Sequence, residues 1–183
     1  MKANIISSIS QIKPIDPIET ADKQDALDWL DHGDSFYRQN NPDKHLVSYC
    51  VVYDRHEKKI LLVEHKKAKQ WLPAGGHVEI DEDPFTTAKR ELSEELSLTL
   101  EPLSDEPLFI TVRETQNMKK AHTDVSLWFV FLGDSRKPFV FDTHEMSSVR
   151  WFSLKEVPML FNKDPNLERF IAKLLASMDV SVS

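Results

Sequence analysis

The sequence predicts a mixed α/β protein, an α/β/α sandwich around a mixed β-sheet, with a partly helical N-terminal extension. Runs of β-branched and aromatic residues alternate with only two or three helical segments, which is typical of such sandwiches. The last segment carries an apolar stripe at helical spacing, and the first 42 residues lack the pattern of the rest. With 183 residues, 40% of them apolar, the chain is long enough for one domain and too short for two full-sized ones. We therefore predict an extension at residues 1–42, one domain at residues 43–178 and a tail at residues 179–183.

The predicted extension consists of scattered isoleucines and serines, and two prolines interrupt any regular pattern. A short helix is predicted over residues 20–30, where a few apolar residues form a modest face. Gly33 is placed to end this helix in a left-handed turn, and residues 40–42, Asn-Asn-Pro, mark the boundary with the domain. We expect the extension to pack against the domain or to form a homodimer contact.

Several runs rich in β-branched and aromatic residues predict the strands of the sheet. Residues 46–53 and 60–63 flank a charged turn at residues 54–59, which indicates a hairpin. Two further strands are predicted at residues 108–112 and 125–132, and a short one ends near residues 149–152.

Two Asp-Pro pairs predict the starts of the domain's helices. Asp accepts hydrogen bonds from free backbone N–H groups at a helix start, and Pro suits the first helical turn. Asp83 with Pro84 therefore opens one helix, and Asp164 with Pro165 opens the final one. The final helix has a core-facing stripe with the spacing i, i+3, i+4, i+7, i+8 and i+11, made of Leu167, Phe170, Ile171, Leu174, Leu175 and Met178.

Composition excludes several classes of function. The formal charge of −7 disfavours a broad electrostatic grip on a long nucleic acid. The longest stretch without charged residues, residues 3–12, is far shorter than the ~20 apolar residues of a membrane span. The N-terminus lacks the features of a secretory signal, and the single cysteine, Cys50, forms no internal disulfide. We expect a cytoplasmic protein in which Cys50 is a small core residue.

Three glutamates share one edge of the helix that follows Asp83. At 100° per residue, Glu91, Glu94 and Glu95 fall within an arc of about 100° that borders the buried stripe. Carboxylates at these spacings repel one another by a few tenths of a kcal/mol per pair, so a positive group is expected among them. Hard oxygen ligands suit Mg²⁺ or Mn²⁺, which also bind substrate phosphates. The alternative is a solvated acidic helix face.

The segment around these glutamates resembles the signature of the Nudix hydrolases, GX5EX7REUXEEXGU, in which U is apolar. One position departs: the glycine near the helix end is Ser97 here, so either the helix ends differently or Ser97 bears the strain of a positive φ. The strands on either side agree with a domain of the Nudix type, and the first ~40 residues lie outside it. The residues in register are Gly76, Glu82, Arg90, Glu91, Leu92, Glu94, Glu95 and Leu98.

The resemblance implies roles for these residues. Glu91, Glu94 and Glu95 match the metal-binding positions, and the carbonyl of Gly75 matches a further ligand. Glu82 and Arg90 match a structural pair that orients the loop and the neighbouring glutamates. In this family the base that accepts the proton of the attacking water varies in location.

Residues outside the signature give further candidates. Glu145 and Glu114 are the candidates for the base on later loops. His122 and Asp124 open a strand and either face the cleft or form a polar pair at the strand edge. The lysines before the glycine pair attract a polyphosphate or form a solvated turn, and the aromatic residues of the predicted strands are expected in the core. These lysines and aromatic residues are Lys66, Lys67, Lys69, Trp71, Trp128, Phe129 and Phe131.

The resemblance implies a metal-dependent pyrophosphohydrolase of a nucleoside triphosphate or a related nucleoside diphosphate derivative. Alternatives that share the fold are hydrolysis of ADP-ribose, sugar nucleotides or capped RNA, and a non-catalytic nucleotide-sensing module. The intact glutamates argue against the sensing module. A Nudix-fold isomerase would require a catalytic cysteine, and Cys50 in an apolar strand is a poor candidate.

Overall fold

The computed structural model describes residues 1–33, 35–41, 43–115 and 121–180. Pro42 and residues 181–183, which entered the predicted boundary and tail, lie outside this part of the chain. A 3₁₀ turn spans Val157–Met159. The helices and strands, in chain order, are α1 (Lys2–Gln11), α2 (Pro17–His32), β1 (Lys44–Asp54), β2 (Lys59–His65), β3 (Gln70–Leu72), β4 (Ala74–His77), α3 (Pro84–Leu96), β5 (Phe109–Glu114), β6 (Thr123–Leu132), β7 (Met146–Ser153) and α4 (Leu167–Val180).

The strands form one mixed sheet in which β1 is central. Along one edge, β1 pairs in parallel with β6, with residues 44–53 opposite residues 123–132, and β5 continues antiparallel to β6. Along the other edge, β1 pairs with β4 through its first half and with β2 through its last residues. Because β3 pairs with β2, the short strands β3 and β4 fill the gap where β1 and β2 diverge. This arrangement places the glycine pair of β4 beside the first half of β1.

Two hydrophobic cores lie in the structure, and between them they involve both faces of the sheet. The first contains side chains of α1, α2 and α3, and the second contains those of α4. Alternation along β6 divides its aromatic residues between the cores, with Trp128 in the second and Phe129 and Phe131 in the first. All three are fully buried, as predicted. The predicted α/β/α sandwich with a mixed sheet is confirmed.

The described residues of the N-terminal extension form two helices, α1 and α2, where the sequence predicted one. Ile5, Ile9 and Ile12 are buried in the first core, so the isoleucines that look scattered in the sequence form the inner face of α1 and of the residue that ends it. Gly33 does not adopt the predicted left-handed turn, since its φ is −93°. A side chain there would crowd the Trp29 carbonyl oxygen at 2.9 Å, which explains a glycine at this position without a positive φ.

Helix α3 begins as predicted, and its end shows which of the two alternatives for Ser97 is correct. The Asp83 carboxylate accepts hydrogen bonds from the N–H of Thr86 at 3.0 Å and from its hydroxyl at 2.8 Å, and Pro84 is the first helical residue. Ser97 ends the helix in the left-handed conformation, with φ 51° and ψ 34°. The helix therefore ends where a glycine would end it, and Ser97 bears the strain.

Helix α4 begins later than predicted. Asp164 accepts a hydrogen bond from the N–H of Asn166 at 2.7 Å, and the first residue of the helix is Leu167. Most of the predicted stripe is buried, but Leu175 is 40% exposed and lies outside the core. In the part of the chain that the structure describes, no helix is long and apolar enough to cross a membrane.

Candidate active site

A cleft of about 1310 Å³ opens beside β4 and α3. One wall carries the glycine pair and the outward edge of α3, and another carries the ends of β5 and β6. The loop before β7 closes a further side. The structure brings to this cleft the predicted ligands Gly75, Glu91, Glu94 and Glu95 and the predicted base Glu145. Other residues considered from the sequence also line it, namely Lys67, Gly76, Glu114, His122 and Asp124.

Arg90 is the positive group expected among the glutamates of α3. Its guanidinium forms a two-bond ion pair with Glu82, with Nε 3.0 Å from Oε1 and Nη2 3.1 Å from Oε2. Its Nη1 donates to Glu91 at 2.7 Å and to Glu94 at 3.0 Å. Nη2 also donates to the carbonyl of His77 at 3.3 Å, which ties the start of the signature loop to α3. These contacts raise the pKa of Arg90, which therefore stays charged.

Glu95 is the most deeply buried of the three glutamates, at 7% exposure. Its Oε2 accepts a hydrogen bond from the Gly75 N–H at 2.8 Å. Burial raises the pKa of Glu95 to about 8, and the charges of Glu91 and Glu145 add to the rise. Burial also raises the pKa of Glu91, against the opposing effect of Arg90. The charged forms of Glu91 and Glu95 have therefore lost hydration that nearby positive charge and hydrogen bonds do not fully replace.

This arrangement fits a hard divalent cation. Glu91 and Glu95 need positive charge, and Glu94, whose side chain is 62% exposed, faces solvent. A cation bound by these oxygens would offset both the lost hydration and the mutual repulsion, and solvent access leaves room for the waters that Mg²⁺ retains. Gly75 lines the same cleft. The donor set therefore suits Mg²⁺ or Mn²⁺.

The two glycines of β4 are required for different reasons. At Gly75, φ is +153°, and an added Cβ would crowd the backbone of Ser48 and Tyr49. At Gly76, an added Cβ would lie 2.6 Å from Cδ of Glu91, with Oε1 closer still. Gly75 therefore allows β4 to approach the backbone of β1, and Gly76 leaves room for the carboxylate of Glu91.

We therefore expect Gly76→Ala to lower turnover about 10-fold while changing the free energy of unfolding by less than about 1 kcal/mol, because a flexible side chain moves away. Steady-state kinetics and chemical denaturation measure the two effects. Wild-type kinetics in Gly76→Ala would show that the position of Glu91 does not matter.

The comparisons with known proteins agree with this geometry. A family model described as the NUDIX domain matches residues 43–174. The chain belongs to the Nudix family. This family acts on pyrophosphate bonds, and the curated relatives of the chain include named hydrolases.

Two curated relatives of this Nudix protein are each 31% identical to it. One is an uncharacterized Nudix hydrolase, YfcD of Salmonella typhi, over 121 residues, which make up 62% of this chain and 60% of YfcD. The other is a probable DHNTP pyrophosphohydrolase of Lactococcus lactis subsp. cremoris, over 129 residues, 67% of this chain and 72% of that protein. The match therefore spans less than two thirds of the length of YfcD.

Solved structures share the fold of this Nudix protein. A NUDIX-family hydrolase of Clostridium perfringens has a TM-score of 0.58 and 22% identity, covering 73% of this chain and 97% of that one. The NUDIX domain of Shewanella oneidensis NrtR, solved with ADP ribose, has a TM-score of 0.58 and 17% identity, covering 82% and 97%. At these identities the likeness concerns the fold alone.

Glu145 lies on the loop before β7 in this Nudix protein and faces the glutamates of α3. Its Oε1 lies 3.3 Å from the Nζ of Lys67, and its Oε2 lies 3.8 Å from the Nε2 of His65. Glu114 also lines the cleft, at the end of β5. Of the three lysines considered as phosphate attractors, only Lys67 lines the cleft.

Sequence reasoning missed several residues of the cleft. Asp142 lines it and its charge raises the pKa of Glu95. His45 and His77 had no predicted role, yet they pack against each other with ring centroids 4.9 Å apart. His122 and Asp124 line the cleft and also form the predicted polar pair, with Nε2 of His122 3.4 Å from Oδ1 of Asp124. The signal that links them is long-range, because parallel pairing of β1 and β6 sets His45 opposite Asp124.

Proposed function

We propose that this Nudix protein hydrolyses the diphosphate linkage of a nucleoside triphosphate, or of a related nucleoside diphosphate derivative, in a reaction that depends on Mg²⁺ or Mn²⁺. The observation that carries the proposal is that Glu91, Glu94 and Glu95 line one cleft beside the glycine pair, with Arg90 bonded to Glu91 and Glu94 and the Gly75 N–H bonded to Glu95. Two of these carboxyl groups have raised pKa values. A binding module without turnover has no need of such a costly arrangement.

In the proposed site, Glu91, Glu94, Glu95 and the carbonyl of Gly75 hold the cation. When bound, the cation neutralises phosphate charge and lowers the pKa of a bound water. Arg90 acts as a positioning residue, since its bonds to Glu82 and to the His77 carbonyl fix it while Nη1 reaches the glutamates.

The proton of the attacking water goes to Glu145 in this proposal. Its carboxylate faces Glu91 and Glu95 across the cleft and is braced by Lys67 at 3.3 Å. The water oxygen bonds to phosphorus as the bridging P–O bond on the opposite side breaks. With a nucleoside triphosphate the products are a monophosphate and pyrophosphate. Glu114, which lines the cleft at the end of β5, is the competing candidate for the base.

The proposal also assigns the setting. The proposed Nudix domain covers residues 43–178 and the proposed extension residues 1–42, whereas helix α4 continues through Val180, past the predicted start of the tail at residue 179. The proposed location is the cytoplasm, and a single buried cysteine without a disulfide agrees with it. The extension packs on the domain through Ile5 and Ile9 of α1. A homodimer contact through its exposed face is also proposed, and light scattering, which measures the mass in solution, tests it.

A hydrolysis screen in which the products are separated by chromatography tests the function, because only the triphosphates release pyrophosphate. The substrates are the nucleoside triphosphates, DHNTP, ADP-ribose, dinucleoside polyphosphates, sugar nucleotides and capped RNA, each with Mg²⁺, with Mn²⁺ and with EDTA. We expect metal-dependent turnover that is highest on a triphosphate. Highest turnover on ADP-ribose or capped RNA would move the assignment to those substrates. Inactivity on every substrate, with and without metal, would favour the sensing module.

A further inference from the structure

Three histidines and one aspartate, carried by β1, β4 and the start of β6, lie close together beside the cleft. His45 lies in β1, His77 ends β4, and His122 and Asp124 lie at the start of β6. We call these four residues the histidine cluster. Each offers one ligand atom, and these four atoms all lie within 4.8 Å of one another. None of them belongs to the glutamate set of α3.

His45 carries the strongest sign of a metal site. The residue is 0% exposed, and its Nδ1 lies 3.1 Å from the carbonyl oxygen of Asn41, which can only accept a hydrogen bond. Nδ1 therefore carries the ring proton. Its Nε2 lies 3.1 Å from Oδ1 of Asp124, but the pair lacks hydrogen-bond geometry, and both atoms are buried without a hydrogen-bond partner among the described residues. A buried polar atom left in this state costs about 1–3 kcal/mol.

His122 is oriented in the same way. Its Nε2 lies 3.4 Å from the same Oδ1 of Asp124. Its Nδ1 lies 3.2 Å from the hydroxyl of Thr115, and that hydroxyl donates to the His122 carbonyl at 3.1 Å, so its oxygen is available to accept from Nδ1. In both rings, Nδ1 lies within hydrogen-bond distance of an oxygen, and Nε2 faces Oδ1 of Asp124. Metal-binding histidines are oriented in this way by their outer-shell partners.

We infer that the histidine cluster binds one Zn²⁺ ion, or a transition metal of similar preference, at a site separate from the glutamates. Three imidazoles and one carboxylate give the four nitrogen and oxygen donors that Zn²⁺ accepts. Donors around a tetrahedral Zn²⁺ are about 3.3 Å apart, close to the 3.1 Å and 3.4 Å separations at Asp124. The inference does not rest on the proposed hydrolase activity.

His77 supplies the fourth donor. The guanidinium of Arg38 contacts the His77 ring, since Nη1 of Arg38 lies 3.3 Å from Nδ1 and 3.5 Å from Nε2 of His77. Arg38 is exposed, so its side chain can leave when one ring nitrogen turns to the metal. An imidazole-rich set also discriminates against Mg²⁺, which requires oxygen donors.

Metal binding to the full-length, tag-free chain tests the inference. The protein is stripped with a chelator and titrated with Zn²⁺ in a calorimeter, in a buffer with millimolar Mg²⁺, and the retained metal is counted by mass spectrometry. We expect one Zn²⁺ per chain in wild type. Asp124→Asn and His122→Gln should bind at least ~100-fold more weakly. The control His56→Gln, an exposed histidine of the β1–β2 turn, should bind as wild type does.

A second set of measurements separates this site from the glutamates and from misfolding. Glu94→Gln should retain the tight Zn²⁺ site, and Co²⁺ should give wild type the visible absorption of a four-coordinate nitrogen and oxygen site. Zn²⁺ should raise the melting temperature of wild type and not that of Asp124→Asn. The inference is overturned if wild type binds no Zn²⁺ in millimolar Mg²⁺, if the Asp124 and His122 variants bind as wild type does, or if Glu94→Gln removes the site.

Discussion

Replacing Glu95 by glutamine is expected to lower turnover at least ~10²-fold while leaving the metal-free protein as stable as wild type or more stable. The amide keeps an oxygen that can accept from the Gly75 N–H, so the local fold is retained. It removes the negative charge that the cation requires. Burial raises the pKa of Glu95 to about 8, so the charged carboxylate is disfavoured there and a neutral side chain relieves that cost. Glu94→Gln is expected to show a comparable loss of turnover.

Kinetics across a range of Mn²⁺ concentrations and chemical denaturation with EDTA measure the two effects of Glu95→Gln. The matched control is Glu101→Gln, which removes one exposed carboxylate that does not line the cleft. Full activity in both the Glu94 and the Glu95 variants would refute their assignment as ligands. A large loss of stability in Glu95→Gln would instead assign Glu95 a structural role.

Lys173→Met is expected to destabilise the protein by about 3–5 kcal/mol, because it leaves a buried carboxylate without its cation. Lys173 of α4 donates to Oε1 of Glu19 in α2, and both residues are buried. Glu19 also accepts from the N–H of Ile15 at 2.8 Å and from that of Ile110 in β5 at 3.4 Å. The pair therefore joins the extension to two elements of the domain.

Urea denaturation of three variants measures this contribution. The double variant Glu19→Gln with Lys173→Met should recover much of the lost free energy, because no unpaired charge remains. The control Lys155→Met, at an exposed lysine, should change the free energy of unfolding by less than about 0.5 kcal/mol. A loss below about 1 kcal/mol for Lys173→Met would mean that this ion pair contributes little to holding the extension on the domain.

Local sequence signals predicted the elements with strong periodicity or capping. The Asp83 cap, the β1–β2 hairpin and the strands β5 and β6 lie close to their predicted positions. Helical spacing placed the glutamates of α3 on one edge of the helix, and the resemblance to the Nudix signature assigned them as ligands; the structure places them beside one cleft. In each case the cause acts within a few residues, so the sequence carries it.

Other features depend on contacts between distant residues. Helix α1 was missed although Ile5, Ile9 and Ile12 follow helical spacing, because serines separate them and only packing on the sheet identifies them as a face. The strands β3 and β4 are too short for a periodic pattern, and the divergence of β1 and β2 creates their place.

The histidine cluster was missed for the same reason. The parallel register of β1 and β6 sets His45 opposite Asp124 across a long stretch of chain, and no local pattern encodes that register. The sequence pointed to His122 and Asp124, but His45 and His77 look unremarkable in it.

Anomalous diffraction from crystals grown with Mn²⁺ and a non-hydrolysable nucleotide analogue tests the hydrolase account most directly. We expect manganese bound by carboxylate oxygens of Glu91, Glu94 and Glu95, between them and the phosphates of the analogue. The same crystals with these three carboxylates turned to solvent or bonded only to Arg90, and with no manganese beside them, would contradict it.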